Sequence, residues 1–177
     1  GCTALPATPD NLENALSQLT SLPDLVITDS QVFDSVEQII PKGVRLTSFS
    51  ILMAAYKGDI DFFVKSAKKI TELNGKSRIL IAEACSHAPA SEDIGRVKIP
   101  AMLKKRYGDG MKIEIVSGKD FPENLGVYDL IIHCGSCMFN RKMVMSRIEK
   151  AKEANVPMTN YGVAIAHLKG ILDKVTY

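Results

Sequence analysis

Short apolar runs alternate with longer amphipathic stretches along this chain. The clearest apolar run is SRILIAEA at 77–84, which is typical of a strand buried on both faces of a parallel sheet. Apolar residues spaced three and four apart predict helices, as at 61–73, where Asn74 and Gly75 supply a stop signal. This alternation predicts an α/β fold, in which a largely parallel sheet is flanked by helices in a three-layer arrangement.

The predicted elements divide the chain unevenly. Strands are expected at 25–28, 44–48, 77–84, 112–116, 129–133 and 157–160. Helices are expected at 12–22, 31–40, 49–56, 61–73, 100–107, 139–154 and 161–175. The section up to about residue 57 has only two of these strands, too few for an independently stable sheet. We therefore expect it to pair with another segment or with another subunit.

Composition indicates a globular protein and excludes several classes. Of its 177 residues, 46% are hydrophobic and 24% are charged, and the formal net charge of +2 does not favour nucleic-acid binding. No apolar run approaches the ~20 residues of a membrane-spanning helix, so no membrane partner is expected. Four Cys are too few for a disulfide framework, which favours a reducing, cytoplasmic location. The chain starts with Gly and lacks a signal peptide, and we expect it to be a piece of a longer protein.

The stretch HCGSC at 133–137 follows an apolar run and contains a CxxC motif. By itself the motif fits a metal site, a redox dithiol or two inert buried thiols. A second motif, Cys85-Ser86-His87, also follows a predicted buried strand. Loops that leave the carboxyl ends of neighbouring parallel strands converge on one crevice, so the two motifs can meet if their strands are neighbours. Three thiolates and two imidazoles exceed what a dithiol needs, and the pair of motifs favours metal binding.

Zinc and an iron–sulfur cluster both suit this ligand set. Three Cys without a convincing fourth favour a 4Fe–4S cluster with one iron open or weakly ligated. The candidates for that position are His87, His133 and Glu83, which is two residues before Cys85 and so points to the same side of a strand. A helix that starts near Met138 would also point its N-terminal amides at an anionic cluster. Cys2 is expected to be a free thiol.

Two basic features have simpler interpretations. The stretch NGKS at 74–77 lacks the earlier Gly and the preceding strand of a phosphate-binding loop, and we interpret it as a helix stop. The helix behind the CxxC motif has five basic residues, which we interpret as a solvated outer face: Arg141, Lys142, Arg147, Lys150 and Lys152.

The CxH…HCxxC pattern, with 45 residues between the two His, resembles the signature of the HydF family of FeFe-hydrogenase maturation GTPases. Further blocks similar to that family are PDLVITDSQVF (23–33), LTSFSILMAAYKGD (46–59), IAEACSH (81–87), DIGRVKIP (93–100), HCGSCMFNR (133–141) and VPMTNYGVAIA (156–166). The resemblance implies part of a dimerisation domain at 1–57 and an iron–sulfur cluster-binding domain at 58–177. No stretch is similar to the GTPase domain, so this chain is not expected to be an enzyme.

The resemblance also implies ligands, cargo and partners. Cys85, Cys134 and Cys137 would hold a 4Fe–4S cluster, with Glu83, His87 or His133 at or beside the open iron. The family is a scaffold that receives a di-iron precursor bearing CO and cyanide, made with HydE and HydG, and delivers it to the hydrogenase HydA. A cyanide of the precursor would bridge to the open iron. The full-length protein is expected to be a homodimer.

The resemblance gives a second use to three basic residues, which would contact the anionic precursor or a partner: Arg96, Lys98 and Arg141. A structural zinc protein and a CxxC redox protein remain the alternatives.

Overall fold

The computed structural model of the chain describes residues 2–84 and 93–177. Its strands form two parallel sheets flanked by helices, which confirms the α/β prediction. The larger sheet has the order β4–β3–β5–β6, and the smaller sheet pairs β1 with β2. The strands are β1 (Leu25–Thr28), β2 (Arg45–Ser48), β3 (Arg78–Ala82), β4 (Lys112–Val116), β5 (Leu130–His133) and β6 (Met158–Asn160).

The α-helices that connect these strands lie close to the predicted positions. They are α1 (Leu12–Ser17), α2 (Phe33–Ile39), α3 (Phe49–Lys57), α4 (Ile60–Ala67), α5 (Ile99–Tyr107), α6 (Arg141–Glu153) and α7 (Tyr161–Leu168). A π-helical turn, Ile94–Lys98, leads into α5. None of the helices within the described ranges is long and apolar enough to cross a membrane.

Five of the predicted helices are shorter in the structure; the first, expected at 12–22, ends at Ser17, and the second, expected at 31–40, covers only Phe33–Ile39. The helix expected at 139–154 begins at Arg141, because the Asn140 side chain caps it by accepting from Met143 N at 3.0 Å. The expectation that this helix starts near Met138 is therefore wrong, and its first turn lies three residues further along the chain. The helix expected at 61–73 turns into a 3₁₀ helix after Ala67. The last helix ends at Leu168, two residues before Gly170 takes a left-handed φ of 73°.

The central strands β3 and β5 are neighbours, and this adjacency positions the candidate site. Ala82 lies opposite His133, and Cys134 N donates to Ala82 O at 3.0 Å. From β3 the chain passes to β4 on one side and then returns to β5 on the other side. The carboxyl ends of β3 and β5 therefore form a topological switch point, where α/β sheets commonly bind ligands. Both cysteine motifs follow these two strands.

The small sheet is fastened to the far end of the chain. Leu46 in β2 forms a parallel bridge with Val175, and Thr176 N donates to Leu46 O at 2.8 Å. This bridge through β2 confirms that the opening section of the chain pairs with another segment. The core is also continuous, since Phe33 and Ile51 belong to the same buried cluster as the strands of the larger sheet.

Candidate metal centre

The CxxC loop begins directly after β5, at the carboxyl edge of the larger sheet. Cys134 is half-buried, and its Sγ accepts from Ala84 N at 3.0 Å and from Ser136 N at 3.4 Å. Ala84 directly precedes Cys85 in the chain. Backbone N–H groups aimed at a sulfur favour its thiolate form, which is the form that binds metals.

Part of the predicted ligand set lies outside the described residues. Cys85 and His87 belong to the range 85–92, so their placement is not described. Within 2–84 and 93–177, no group of three or more His, Cys, Asp and Glu side chains could hold a metal ion. Cys137 is exposed in the CxxC loop and Cys2 is exposed in the N-terminal stretch, whereas Cys134 is half-buried.

Ser136, between the two cysteines, holds the loop in an unusual backbone conformation. Its φ of 57° is left-handed, which is uncommon outside glycine. The side chain is buried, with Oγ 3.0 Å from His133 Nδ1 and 3.2 Å from Cys134 O. Asn160, at the end of the neighbouring strand β6, also donates to Cys134 O at 3.3 Å. The loop is thus fixed by its own polar groups and by the adjacent strand.

His133 is buried at the end of β5, and both of its ring nitrogens are engaged. Arg147 Nη1 donates to His133 Nε2 at 2.9 Å, and because a guanidinium has only donors, Nε2 must be the acceptor. The proton is therefore on Nδ1, which lies 3.0 Å from Cys134 O. Burial lowers the pKa of His133 to about 4, so the ring is neutral at pH 7. For Nε2 to bind a metal, Arg147 would first have to move away.

Arg147 is buried, and its assignment to a solvated helix face was wrong. Only 5% of the residue is exposed, and the guanidinium lies between the rings of Phe121 and Phe139, 4.7 Å from each centroid. Its Nη2 donates to Gly118 O at 2.5 Å. Burial lowers the pKa of Arg147, and the negative charge of a Cys134 thiolate opposes that shift. Arg147 therefore places a positive charge near this sulfur.

Glu83, a candidate for the open iron, is bound to a cation. The residue is 8% exposed, and its Oε2 accepts from Arg96 Nη2 at 2.9 Å and from Arg96 Nε at 3.2 Å. Ser117 Oγ donates to the same oxygen at 3.1 Å. These contacts connect the end of β3 to the π-helical turn that carries Arg96. The carboxylate helps to hold the rim of the site in place.

The other two basic residues of interest also have contacts within the chain. Lys98 Nζ donates to Gln31 Oε1 in the turn after β1. Arg141 Nη1 donates to Tyr56 O at 2.8 Å and to Gly58 O at 3.3 Å. Lys98 therefore connects the π-helical turn to the first 58 residues, and Arg141 connects α6 to them.

Lys57 is a site residue that the sequence analysis missed. Its Nζ donates to three carbonyl oxygens of the CxxC loop: Ser136 O at 2.8 Å, Cys137 O at 3.2 Å and Phe139 O at 2.8 Å. In the sequence, a lysine at the end of a helix indicates only a favourable interaction with the helix dipole. The sequence contains no signal of the hydrogen bonds that this lysine makes to the loop, because the loop lies about 80 residues further along the chain.

A cavity of about 260 Å³ lies beside the exposed Cys137. Its lining includes Phe49 and Met53 of α3 as well as Ile94 and Tyr161 from later in the chain. Its walls are mainly apolar. Cys137 therefore faces a recess that α3 helps to form.

The described part of the site fits a thiolate-bound metal group. It has two thiols in one loop, N–H donors aimed at the Cys134 sulfur, and Arg147 nearby to offset negative charge. Hydrogen bonds to sulfur and nearby charges are the features by which proteins tune iron–sulfur clusters. The same features suit zinc thiolate chemistry, so the fit does not choose between the two metals.

Comparison with protein families identifies the chain. Residues 1–58 match the model of the hydrogen maturase F dimerization domain. Residues 61–176 match the model of the hydrogen maturase F tetramerization domain. No curated protein matches the chain. Both family descriptions support an oligomeric protein with a role in hydrogenase maturation. Since the two models together cover nearly the whole chain, the chain belongs to the hydrogen maturase F (HydF) family.

Proposed function

We propose that this chain holds a 4Fe–4S cluster through Cys85, Cys134 and Cys137, and that it carries a di-iron CO- and cyanide-bearing precursor to apo FeFe-hydrogenase. Membership of the HydF family supports the role in maturation. The observation that carries the cluster proposal is the adjacency of β3 and β5, which brings Ala84 N, one residue before Cys85, to 3.0 Å from Cys134 Sγ. HydE and HydG would supply the precursor, and HydA would receive it.

The residues of this chain would have separate tasks in that function. The three cysteines would bind the cluster, and Arg147 would offset its negative charge at Cys134. A bound cluster would supply an iron able to take an exchangeable ligand. Glu83, His87 and His133 remain the candidates beside that iron, although Glu83 and His133 are also engaged by Arg96 and Arg147. The chain itself is proposed to act as a scaffold and not as an enzyme.

Anaerobic reconstitution with iron and sulfide tests this proposal. Visible absorption and EPR after reduction would be recorded for the wild type and for Cys85→Ala, Cys134→Ala and Cys137→Ala. The matched control is Cys2→Ala, because Cys2 is exposed and lies far from the loop in sequence. We expect a brown protein with a reducible 4Fe–4S signal in the wild type and in the control, and loss of the signal in the other three.

Two results would overturn the proposal. A colourless wild type that keeps zinc would indicate a structural zinc site. A wild type in which Cys85 is dispensable while the CxxC pair cycles between dithiol and disulfide would indicate a redox protein.

To test the candidate fourth ligands, Glu83→Gln, His87→Ala and His133→Ala would be assayed for hydrogenase activation. Full activity in all three would remove them as ligands.

A further inference from the structure

Lys57 attaches the last helix of the dimerisation-domain match to the CxxC loop. Its ammonium group has three N–H donors, and each of the three loop carbonyls of Ser136, Cys137 and Phe139 lies within 3.2 Å of Nζ. Hydrogen bonds from a charged donor are stronger than those between neutral groups. A single side chain therefore holds the backbone on both sides of Cys137.

The C-terminal end of α3 is itself fixed, so Lys57 acts from a rigid position. Arg141 at the start of α6 donates to the carbonyls of Tyr56 and Gly58 at the end of α3, where carbonyl groups lack N–H partners within the helix. A Cβ atom on Gly58 would lie 2.6 Å from the ring of Phe63, so the chain turns tightly against α4 at this point. The end of the helix cannot shift without breaking these contacts.

The N-terminal end of α3 is fixed on the other side of the site. Ser50 Oγ donates to Asn160 Oδ1 at 3.0 Å and accepts from Gly162 N at 3.1 Å. A Cβ atom on Gly162 would lie 2.9 Å from Ser50 Cβ, and one on Gly135 would lie 3.6 Å from Ser50 Oγ. Helix α3 therefore lies against the CxxC loop, with one end held by Arg141 and the other end held by Asn160 and Gly162.

We propose that Lys57 is a positioning residue for the metal site: it holds the Cys134–Cys137 loop in place and puts a positive charge beside the bound cluster. The inference rests on the proposed function. Iron–thiolate clusters are anionic, and their reduction adds negative charge, so a nearby cation favours the reduced form. A segment matched by the dimerisation-domain model would thus control how tightly the site keeps its iron and how readily the cluster is reduced.

The test compares three single variants after anaerobic reconstitution. Lys57→Met removes the donors and the charge but keeps an apolar stem, and Lys57→Arg keeps the charge. Lys142→Met is the matched control, because it removes an exposed lysine from the helix behind the loop. Each protein would be measured for iron loss to a chelator and for the midpoint potential in an EPR-monitored redox titration. Circular dichroism would confirm that each variant folds.

We expect Lys57→Met to lose iron about tenfold faster than the wild type, as is common when residues around metal ligands are replaced. Its midpoint potential should become more negative, and Lys57→Arg should restore the potential towards the wild-type value. Lys142→Met should match the wild type in both measurements. Equal iron loss and equal potentials in Lys57→Met and the wild type would overturn the inference. An equal shift in Lys142→Met would also overturn it, since net charge alone would then explain the effect.

A measurement without iron separates this inference from the proposed function. In the apo protein, Cys134 is half-buried, so its alkylation rate reports how firmly the loop is held. We expect faster alkylation of Cys134 in Lys57→Met than in Lys142→Met, as measured by mass spectrometry of the labelled peptides. If the wild type takes up no cluster, the proposed function fails, and the alkylation rates alone decide whether Lys57 holds the loop. Equal rates would show that it does not.

Discussion

Replacement of Arg147 by Met should destabilise the protein substantially, even though the residue is on a helix with exposed basic neighbours. Met keeps an apolar stem of similar length and removes both hydrogen bonds. The His133 Nε2 acceptor would then be buried without its partner, because only 1% of His133 is exposed. Leaving a buried acceptor unsatisfied costs roughly 1–3 kcal/mol.

Two further contacts add to this cost, and one effect offsets it. The contacts of the guanidinium with the rings of Phe121 and Phe139 contribute roughly 0.5–1 kcal/mol each. Gly118 O loses a donor but is half-exposed, so water can replace that bond. Removal of the buried charge recovers part of its desolvation cost. We therefore expect a loss of about 2–4 kcal/mol in the free energy of unfolding, a large share of the roughly 5–15 kcal/mol typical of a domain.

Urea denaturation of the apo protein at pH 7, followed by circular dichroism, would measure this loss. Lys150→Met is the matched control, because Lys150 is exposed on the same helix and its replacement should change stability by less than about 0.5 kcal/mol. A double variant with His133→Leu should cost less than the sum of the two single changes, because no unsatisfied acceptor remains. A loss below about 1 kcal/mol for Arg147→Met, or full additivity with His133→Leu, would refute the role assigned to the pair.

Two other predictions concern parts of the fold outside the loop. Burial and then the 2.7 Å hydrogen bond to Glu114 raise the pKa of Tyr128 to about 12, so its contribution to stability should be present below pH 10 and be lost as the pH rises towards 12. Ultraviolet titration of the wild type against Tyr128→Phe would check this value, and a phenol that titrates near pH 10 would contradict it. Gly162→Ala should cost about 1–3 kcal/mol in a denaturant titration, because its Cβ would overlap Ser50 and Ile51. Gly126→Ala, whose Cβ meets nothing closer than 3.8 Å, is its control, and equal stability of the two would show that α3 and α7 pack less tightly than described.

The strands could be predicted from the sequence because their signal is local. The predictions for β1 and β4 agree with the structure residue for residue, and β3 and β5 differ from theirs only at the ends. Continuous apolar runs between turn residues are sufficient to locate such strands. The predicted ends of the helices were less accurate, because they depend on capping side chains such as that of Asn140. In the sequence, an Asn at this position is equally compatible with a loop that continues.

The cysteine motifs could be found from the sequence, but their surroundings could not. Arg147 was grouped with four other basic residues on its helix, and nothing in that pattern shows which of them points inward. Its burial depends on Phe121 and Phe139, which approach it only in the folded chain. Lys57 was missed for the same reason, since its three acceptors lie about 80 residues further along the chain.

The two family matches meet between residues 58 and 61, but the packing of the chain does not divide there. Lys57, in the first match, donates to the backbone of the second match. Arg141, in the second match, donates to the backbone of the first. Leu46 bridges to Val175, and Ile51 is fully buried in the shared core. A chain cut at this point would expose the buried apolar face of α3 and remove the donor that holds the CxxC loop. Helix α3 and the CxxC loop are therefore held together by hydrogen bonds that cross from one family match to the other.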